Sequence, residues 1–382
     1  MAIDRILIVG AGIGGLAAGL ALQRRGFNVA IYERAPEIRE IGAGLIVTAN
    51  ARRALQDLGV DAALEAASSC HPVYHNCDYR TGAVLRTVSN EEIARRYGLH
   101  TLQVHRADLH GLLLEAFRRN APENLHPAHE FVRLEQDGNS VRAVFANGHT
   151  DEADALIGAD GNASAVRSFL FPNEPAVFNG QVAFRALIPD ELLPSSVRQT
   201  SHAMHPAPKR YLLHYPLRGG KIMNLIGCGQ SDRWEEEGWS IPATNEEFAA
   251  AYSDFAPELL RLIDSIPPGA LFKWGLRDRE PLAEWTVGRV AMLGDAAHPM
   301  TPFLGQGACL AIEDALVLGR AFAASGSVDE ALARYEAARK PRGNAVQLWS
   351  REEGLALQDP SRSRRTAVDR GLLDYDPVTG PV

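Results

Sequence analysis

Ile6-Leu7-Ile8-Val9-Gly10-Ala11-Gly12-Ile13-Gly14-Gly15 decides how this chain is read: a short β-branched run stops in a cluster of glycines. Residues 13–25 continue as an Ala/Leu-rich helix, and Asn28-Val29-Ala30-Ile31-Tyr32 reads as a second strand, so the opening is a βαβ unit. The glycines match GxGxxG, with a physical reason at each place. Gly10 permits a tight turn, Gly12 lets backbone approach a pyrophosphate, and Gly15 permits close helix–sheet packing, while the helix N-terminus faces the phosphates. Glu33 stands 21 residues after Gly12, where a carboxylate accepts hydrogen bonds from a ribose and repels a 2′-phosphate. Ile13, Gly14 and Arg34 flank these positions and join them as candidate contacts. The motif predicts a bound dinucleotide. By itself it does not separate NAD from FAD.

The rest of the chain narrows the class. Its 382 residues are 46% hydrophobic, enough to bury a full core across two or three domains. A formal charge of −8 with no basic block speaks against nucleic acid, and no run of eighteen apolar residues suggests a membrane span. Cys70, Cys77, Cys228 and Cys309 have neither metal-site spacing nor a CxxC pair, so free thiols in a reducing cytoplasm are expected and no metal. Met1–Arg5 leads straight into a strand, leaving no room for a signal peptide. Residues 48–67 and 106–120 read as helices, and 125–160 as strands and turns ending in Ala155–Gly158. Between 172 and 285 the pattern turns β-rich, with Val182–Ile188, Arg210–Tyr215 and Lys221–Gly227 as strands and a helical stretch near 245–265. Residues 308–323 and 328–350 are helical, and the charged tail after Asp359 is expected to be loosely held.

The expected fold class is α/β: a Rossmann-like nucleotide-binding domain (1–70, 101–171 and 286–325), an inserted mixed β-sheet substrate domain (71–100 and 172–285), and C-terminal helices with a tail (326–382).

Three further features choose the cofactor. In Gly288-Arg289-Val290-Ala291-Met292-Leu293-Gly294-Asp295, a short apolar strand ends in Gly-Asp, and a Pro/Gly-rich loop then runs into a helix at Gly305-Gln306-Gly307-Ala308. Asp295 can hold a ribityl chain, and backbone N–H groups near Gln306 can face an anionic ring. A nicotinamide-only dehydrogenase has no use for such a loop so far from the glycine turn; FAD has. Gly158-Ala159-Asp160-Gly161, followed by Ser164 and Arg167, reads either as a brace for the cofactor pocket or as a strand-to-helix turn with a good N-cap. Arg106, at the start of its helix, reads equally as a pyrophosphate contact and as a solvated arginine. No second GxGxxG is present, so NAD(P)H is expected to bind only transiently.

Taken in order, Gly10–Gly15, Arg106, Gly158–Gly161 and Gly294–Gly307 resemble the single-component FAD-dependent aromatic hydroxylases of the para-hydroxybenzoate hydroxylase class. Salicylate, 3-hydroxybenzoate and 6-hydroxynicotinate hydroxylases are the most similar, over roughly residues 4–350. The resemblance implies Glu33 on the adenosine ribose, Arg106 on the flavin side, Asp295 at the ribityl or pyrophosphate region, and Gly305–Ala308 against the isoalloxazine. Gly42-Ala43-Gly44 corresponds to a flexible flavin-proximal loop, which also reads as a plain loop. Implied too are reduction by NAD(P)H, reaction with O2 to a flavin C4a-hydroperoxide, and attack by a small phenolic or hydroxylated N-heteroaromatic acid. A monomer or homodimer is expected. The alternatives are an FAD-dependent dehydrogenase or epoxidase on a non-aromatic substrate, and a non-catalytic protein on the same scaffold.

The substrate side departs from the nearest-looking relatives. Tyr211 and Tyr215 share one strand face and read either as a proton relay or as pocket wall; His214 falls on the other face, where a core or surface role outweighs catalysis. Tyr215 matches a family tyrosine, but Tyr211 stands where 3-hydroxybenzoate and 6-hydroxynicotinate enzymes place a histidine. Pro302-Phe303 replaces their glutamine or histidine, and Pro302 matches the para-hydroxybenzoate type, whose proline carbonyl faces the substrate. Arg185 reads as an anchor for a substrate carboxylate or as half of a structural ion pair. His298 is expected beside the flavin, and Trp234 and Trp239 in a solvated acidic loop.

Overall fold

The computed structural model describes residues 3–38, 43–198, 202–231, 234, 241–359 and 362–382. Arg5–Val9 lies inside a six-stranded sheet in the order Thr286–Val287, Val290–Met292, Ala155–Gly158, Arg5–Val9, Asn28–Tyr32, Leu125–His126. All neighbours are parallel except the 286–287 hairpin strand. Parallel strands are covered on both faces, which is why Ile6–Val9 reads as an unbroken apolar run and is buried throughout. The helix Ile13–Gln23 packs against the long helix Gly307–Ala323, joining the first and last thirds of the sequence beside one sheet.

A second, eight-stranded sheet runs Ile241–Pro242, Leu271–Asp278, Val177–Pro189, Ile222–Gln230, Arg210–Leu217, His202–Ala207, Val73–Cys77, Val84–Ser89. Only 202–207 against 73–77 is parallel. One face packs on the helices Asn245–Ala251 and Pro257–Asp264 through Phe184, Leu212, Phe248 and Leu262. Period-two alternation then sends Arg185, Tyr211 and Tyr215 to the other face. The α/β architecture matches the expectation. Phe131–Gln136, Val141–Phe145 and Thr150–Ala153 form a small antiparallel sheet, and Gly44–Val47 pairs with Leu102–His105.

Three local expectations are corrected. The single helix at 48–67 is two, Ala49–Asp57 and Asp61–Ala67, because Gly59 turns through a left-handed φ of 73°. The helical stretch near 245–265 is likewise two, restarting at Pro257, where a missing N–H costs nothing. The tail is not loose: Leu372 and Leu373 are buried against Leu304, Leu310 and Val346, and Arg53 donates to the carbonyls of Leu373 (2.8 Å) and Tyr375 (3.0 Å).

Candidate active site

A cavity of about 880 Å³ opens between the two sheets, lined by the Gly10–Gly12 turn, Glu33, Arg106 and Asp295 on one side and Arg185 and Trp274 on the other. At the nucleotide end the turn is set by steric exclusion. A Cβ on Gly10, whose φ is +106°, would lie 2.5 Å from the Ala159 carbonyl oxygen, and one on Gly15 would lie 1.9 Å from that of Gly10. The helix starting at Ile13 has no side-chain cap, so its first N–H groups are left for an anion. Glu33 Oε2 accepts from the Ala11 amide and Oε1 from that of Ala35, both at 2.9 Å, which aims the carboxylate at the cavity. Arg34 lines the same end.

At the other end Asp295 is the one exposed residue between Val290 and Pro299. The packing around it raises its pKa, with His298 and Arg106 pulling the other way. Hydroxyl donors from a ribityl chain would favour the ionised carboxylate against that packing. A Cβ on Gly307 would sit 3.7 Å from Asp295 Oδ1, so the uncapped N-terminus of Gly307–Ala323 adjoins the carboxylate. Gly305 turns through φ +63°, and Gln306 is pinned by Thr48 (3.1 Å) and Asn50 (3.0 Å). The Arg106 amide donates to Ala43 (2.7 Å), tying the described part of the 42–44 loop to the cavity wall; Gly42 lies outside the described residues. Two uncapped helix starts, a glycine cradle and two inward carboxylates fit a flavin dinucleotide.

Asp160 borders the cavity, yet Oδ1 accepts from Ser164 Oγ (2.5 Å) and Oδ2 from the amides of Ala165 (2.7 Å) and Val166 (3.1 Å). That is the strand-to-helix-turn reading: Ser164 is the N-cap, its Oγ accepting from the Arg167 amide (2.8 Å), and Asp160 backs it at the first two helical amides. Burial raises its pKa against these bonds. Arg167 runs to the carbonyls of Ala296 (3.3 Å) and Ala297 (3.1 Å) and to Glu174, bracing the turn that carries Asp295.

The tyrosines form a second group packed behind Gly44; Ala43 and Arg185 line the cavity, and Tyr211, Tyr215, Pro302 and Phe303 do not. Tyr215 packs so closely on Gly44 that a Cβ there would lie 2.5 Å from its Oη, and Asn224 Oδ1 accepts from the Gly44 amide (3.0 Å). Arg185 Nη2 donates to the Gly44 carbonyl (3.3 Å), and its guanidinium lies 5.8 Å over the Trp274 ring. Among the described residues its hydrogen bonds include no carboxylate, and Nε has no partner. Burial lowers the Arg185 pKa and pushes Tyr215 up to about 12 and Tyr211 well above its usual value, so both phenols are donors at neutral pH. Tyr211 meets Phe303 edge-on at 6.3 Å. The exposed Pro302 uses its carbonyl to accept from the Gly305 amide (3.1 Å), closing the loop turn.

One further expectation changes. His298 turns away from the cavity: its Nε2 donates to Asp314 Oδ2 (2.6 Å), and its ring stacks near Trp285. Trp234 packs on Gly275; Trp239 and Glu235–Glu237 lie outside the described residues. His214 is a buried core histidine, its Nε2 3.2 Å from that of His205. The sequence reading missed Thr48, Asn50 and the buried Glu313, Asp314, Arg339 and Arg342 behind the loop. The available signal was an adjacent Glu-Asp inside an otherwise apolar helix.

Comparison with known proteins agrees with this geometry. A family model described as FAD binding domain matches residues 4–350. A 3-hydroxybenzoate 6-hydroxylase of Polaromonas naphthalenivorans (strain CJ2) is 37% identical over 91% of this chain and 87% of its own. A 6-hydroxynicotinate 3-monooxygenase of Bordetella bronchiseptica is 35% identical over 91% of both. Klebsiella pneumoniae HpxO, solved with FAD and uric acid, superposes with a TM-score of 0.85 at 25% identity, covering 98% of this chain and 93% of that one. No helix among the described residues is long and apolar enough to cross a membrane. By its family match, its relatives and its site, the chain belongs to the FAD-dependent aromatic hydroxylases.

Proposed function

We propose that this chain hydroxylates a small aromatic acid bearing a ring hydroxyl, using NAD(P)H and O2. The observation that carries the substrate class is Arg185, a half-buried cation facing the cavity beside Trp274 with no carboxylate among its hydrogen-bond partners in the described residues. Desolvated guanidinium groups call for an anion, and a planar carboxylate can take two of its N–H donors.

Bound FAD, once reduced, supplies the activated oxygen. The protein's own share is binding and orientation. Gly10, Gly12, Ile13, Gly14 and Gly15 cradle the pyrophosphate, and Glu33 with Arg34 takes the adenosine end. Asp295 and Arg106 hold the middle of the cofactor, and the Gly305–Ala308 turn presents backbone N–H groups to the ring. Arg185 anchors the substrate carboxylate; Tyr215 donates its O–H to the ring oxygen, and Tyr211 with Phe303 closes the wall. Asp160 acts indirectly, by backing the start of the helix whose Arg167 braces the Asp295 turn. On this reading 1–70, 101–171 and 286–325 hold FAD, and 71–100 with 172–285 covers the substrate.

Hydroxybenzoates and hydroxypyridine carboxylates are tested for stimulated NADH and NADPH oxidation, with product analysis to exclude uncoupled peroxide release. For the best substrate, Arg185→Met is expected to raise KM by about 10–100-fold, the worth of a charge-assisted bond. The same phenol lacking its carboxylate should be indifferent to the change. Equal losses on both compounds would sink the anchoring role.

A further inference from the structure

The family match ends at residue 350, yet the segment beyond it folds back onto the core behind the Asp295 loop. There, two carboxylates and two guanidinium groups are interlocked. Glu313 Oε1 accepts from Asn50 Nδ2 (2.6 Å) and Arg342 Nη2 (2.8 Å), and Oε2 accepts from Arg339 Nη2 and Arg342 Nε, both at 2.7 Å. Asp314 Oδ1 accepts from Arg339 Nε (2.7 Å), while Oδ2 accepts from His298 Nε2 (2.6 Å) and the Gly294 amide (3.2 Å). Each carboxylate thus reaches one of the two turns flanking the proposed flavin site: Asp314 holds Gly294–His298, and Glu313, through Asn50, holds Gln306.

The tail closes this cage. The Tyr375 ring lies 4.2 Å from the Arg342 guanidinium and 5.0 Å from that of Arg339. Arg342 Nη2 also donates to the Leu372 carbonyl (3.0 Å), and Arg53 donates to the carbonyls of Leu373 and Tyr375. Leu372 and Leu373 are buried against Leu304, which belongs to the loop itself, and Leu310. An aromatic face over desolvated guanidiniums restrains them laterally, where hydrogen bonds to carboxylates fix them only along the bond.

We propose that Tyr375 is a clasp on the cofactor site, seated by the packed Leu372–Leu373: it holds Arg339 and Arg342 in register, and through Glu313 and Asp314 this sets the two turns that receive FAD. These are positioning residues, none touching the cofactor. The inference rests on the FAD reading. It separates the tail from a stability element, since packing alone would be served by the two leucines.

The test uses the full-length holoenzyme. Tyr375→Ala should raise the FAD Kd by about tenfold, the worth of a buried cation–π contact, and alter the bound flavin's visible spectrum. Tyr375→Phe, which keeps the ring, should stay within about twofold of the parent. Leu373→Ala, a packing loss alone, should lower Tm while leaving the FAD Kd near the parent value. Should Tyr375→Ala not fold, Tyr375→Leu replaces it, with bulk retained and the aromatic face lost. A parent-like FAD Kd in the alanine or leucine variant, or a fall in Tm with no change in Kd, overturns the clasp. A parent protein that takes up no FAD at all would instead sink the cofactor reading and is scored separately.

Discussion

The two ends of the cavity are held by opposite means. The Gly10–Gly15 turn has little space for a Cβ: at Gly10 and Gly15 the nearest neighbours are backbone atoms of the turn itself and of the adjoining strand end at Ala159, and only Gly14 meets side chains from further off, Leu293 and Ala311. The Gly294–Gly307 turns have few such contacts. A Cβ on Gly305 would meet nothing within 4 Å, and the shape comes instead from buried charges on helices 307–323 and 328–358. One end is fixed by local sterics, the other by long-range electrostatics. A methyl group should break the first, and a single neutralised charge the second.

The largest expected effect is therefore at Gly15. Gly15→Ala places a methyl 1.9 Å from the Gly10 carbonyl oxygen, inside any contact a real Cβ makes. FAD binding should be lost, read as a colourless purified protein, with folding checked by circular dichroism. Retained yellow holoenzyme would show that the turn can shift and that sterics do not rule this end. Next comes Asp314→Asn, nearly isosteric but leaving Arg339 and His298 short of an anion at full burial. Breaking one partner out of a buried pair costs about 3–5 kcal/mol, to be read by urea unfolding. If the loss were under about 1 kcal/mol, the level of a surface pair, the loop would owe its shape to something other than this cage.

The same contrast explains what could be read in advance. Gly10, Gly12, Gly15, Glu33 and Asp295 sit in short motifs whose chemistry is local, so the fold class and the cofactor were legible. Asp160 was legible only as a pair of alternatives, because a carboxylate after a strand serves a cap and a ligand equally well. Glu313 and Asp314 drew no attention: their partners, Arg339 and Arg342, lie 26 and 29 residues on, and Asn50 lies 263 residues back. Nothing in 359–382 hints that it is pinned by Arg53, since main-chain carbonyls carry no sequence signature. His298, three residues after Asp295, lacks a third ligand for a metal and reads from sequence as packing beside the flavin, whereas its ring follows the buried charge of Asp314.

The two supports should also differ in acid. Burial pushes the Glu313 and Asp314 carboxyls up, but Arg339 with Arg342 at Glu313, and His298 with Arg339 at Asp314, outweigh it and hold both below the ordinary range. Their contribution is therefore complete above an unfolded pKa of about 4 and is lost only as pH falls through the lower folded values. The eight-stranded sheet behaves otherwise. Burial pushes His202 and His214 down to about 3 and His205 to about 4, with His71 and His75 facing His202, and Asp78 opposing the shift at His205. The unfolded chain takes up these protons near pH 6.5 and the folded chain does not, so stability falls as pH drops from about 6.5 toward 4. Each histidine adds up to about 1.4 kcal/mol per pH unit. Urea midpoints between pH 7.5 and 5 should show this slope, to which the lowered His71, His105 and His126 also contribute, and His205→Gln should make it shallower. A flat profile in the parent would mean that His202, His205 and His214 take up protons in the fold.

The smallest effect separates two carboxylates that look alike in sequence. Glu33 and Asp160 both follow a parallel strand and both border the cavity. Glu33 is held by the amides of Ala11 and Ala35, with lone pairs left toward the ribose position. Asp160 spends both oxygens on the start of the helix Ala165–Leu170. Asp160→Ala should then cost about 1 kcal/mol of stability, the scale of a lost side-chain acceptor at a helix start, with an FAD Kd within about twofold of the parent. The alternative outcome, a tenfold weaker FAD Kd at unchanged stability, would mean that the cofactor draws the carboxylate off the helix start. The position would then belong with the electrostatic end of the cavity rather than with the helix it starts.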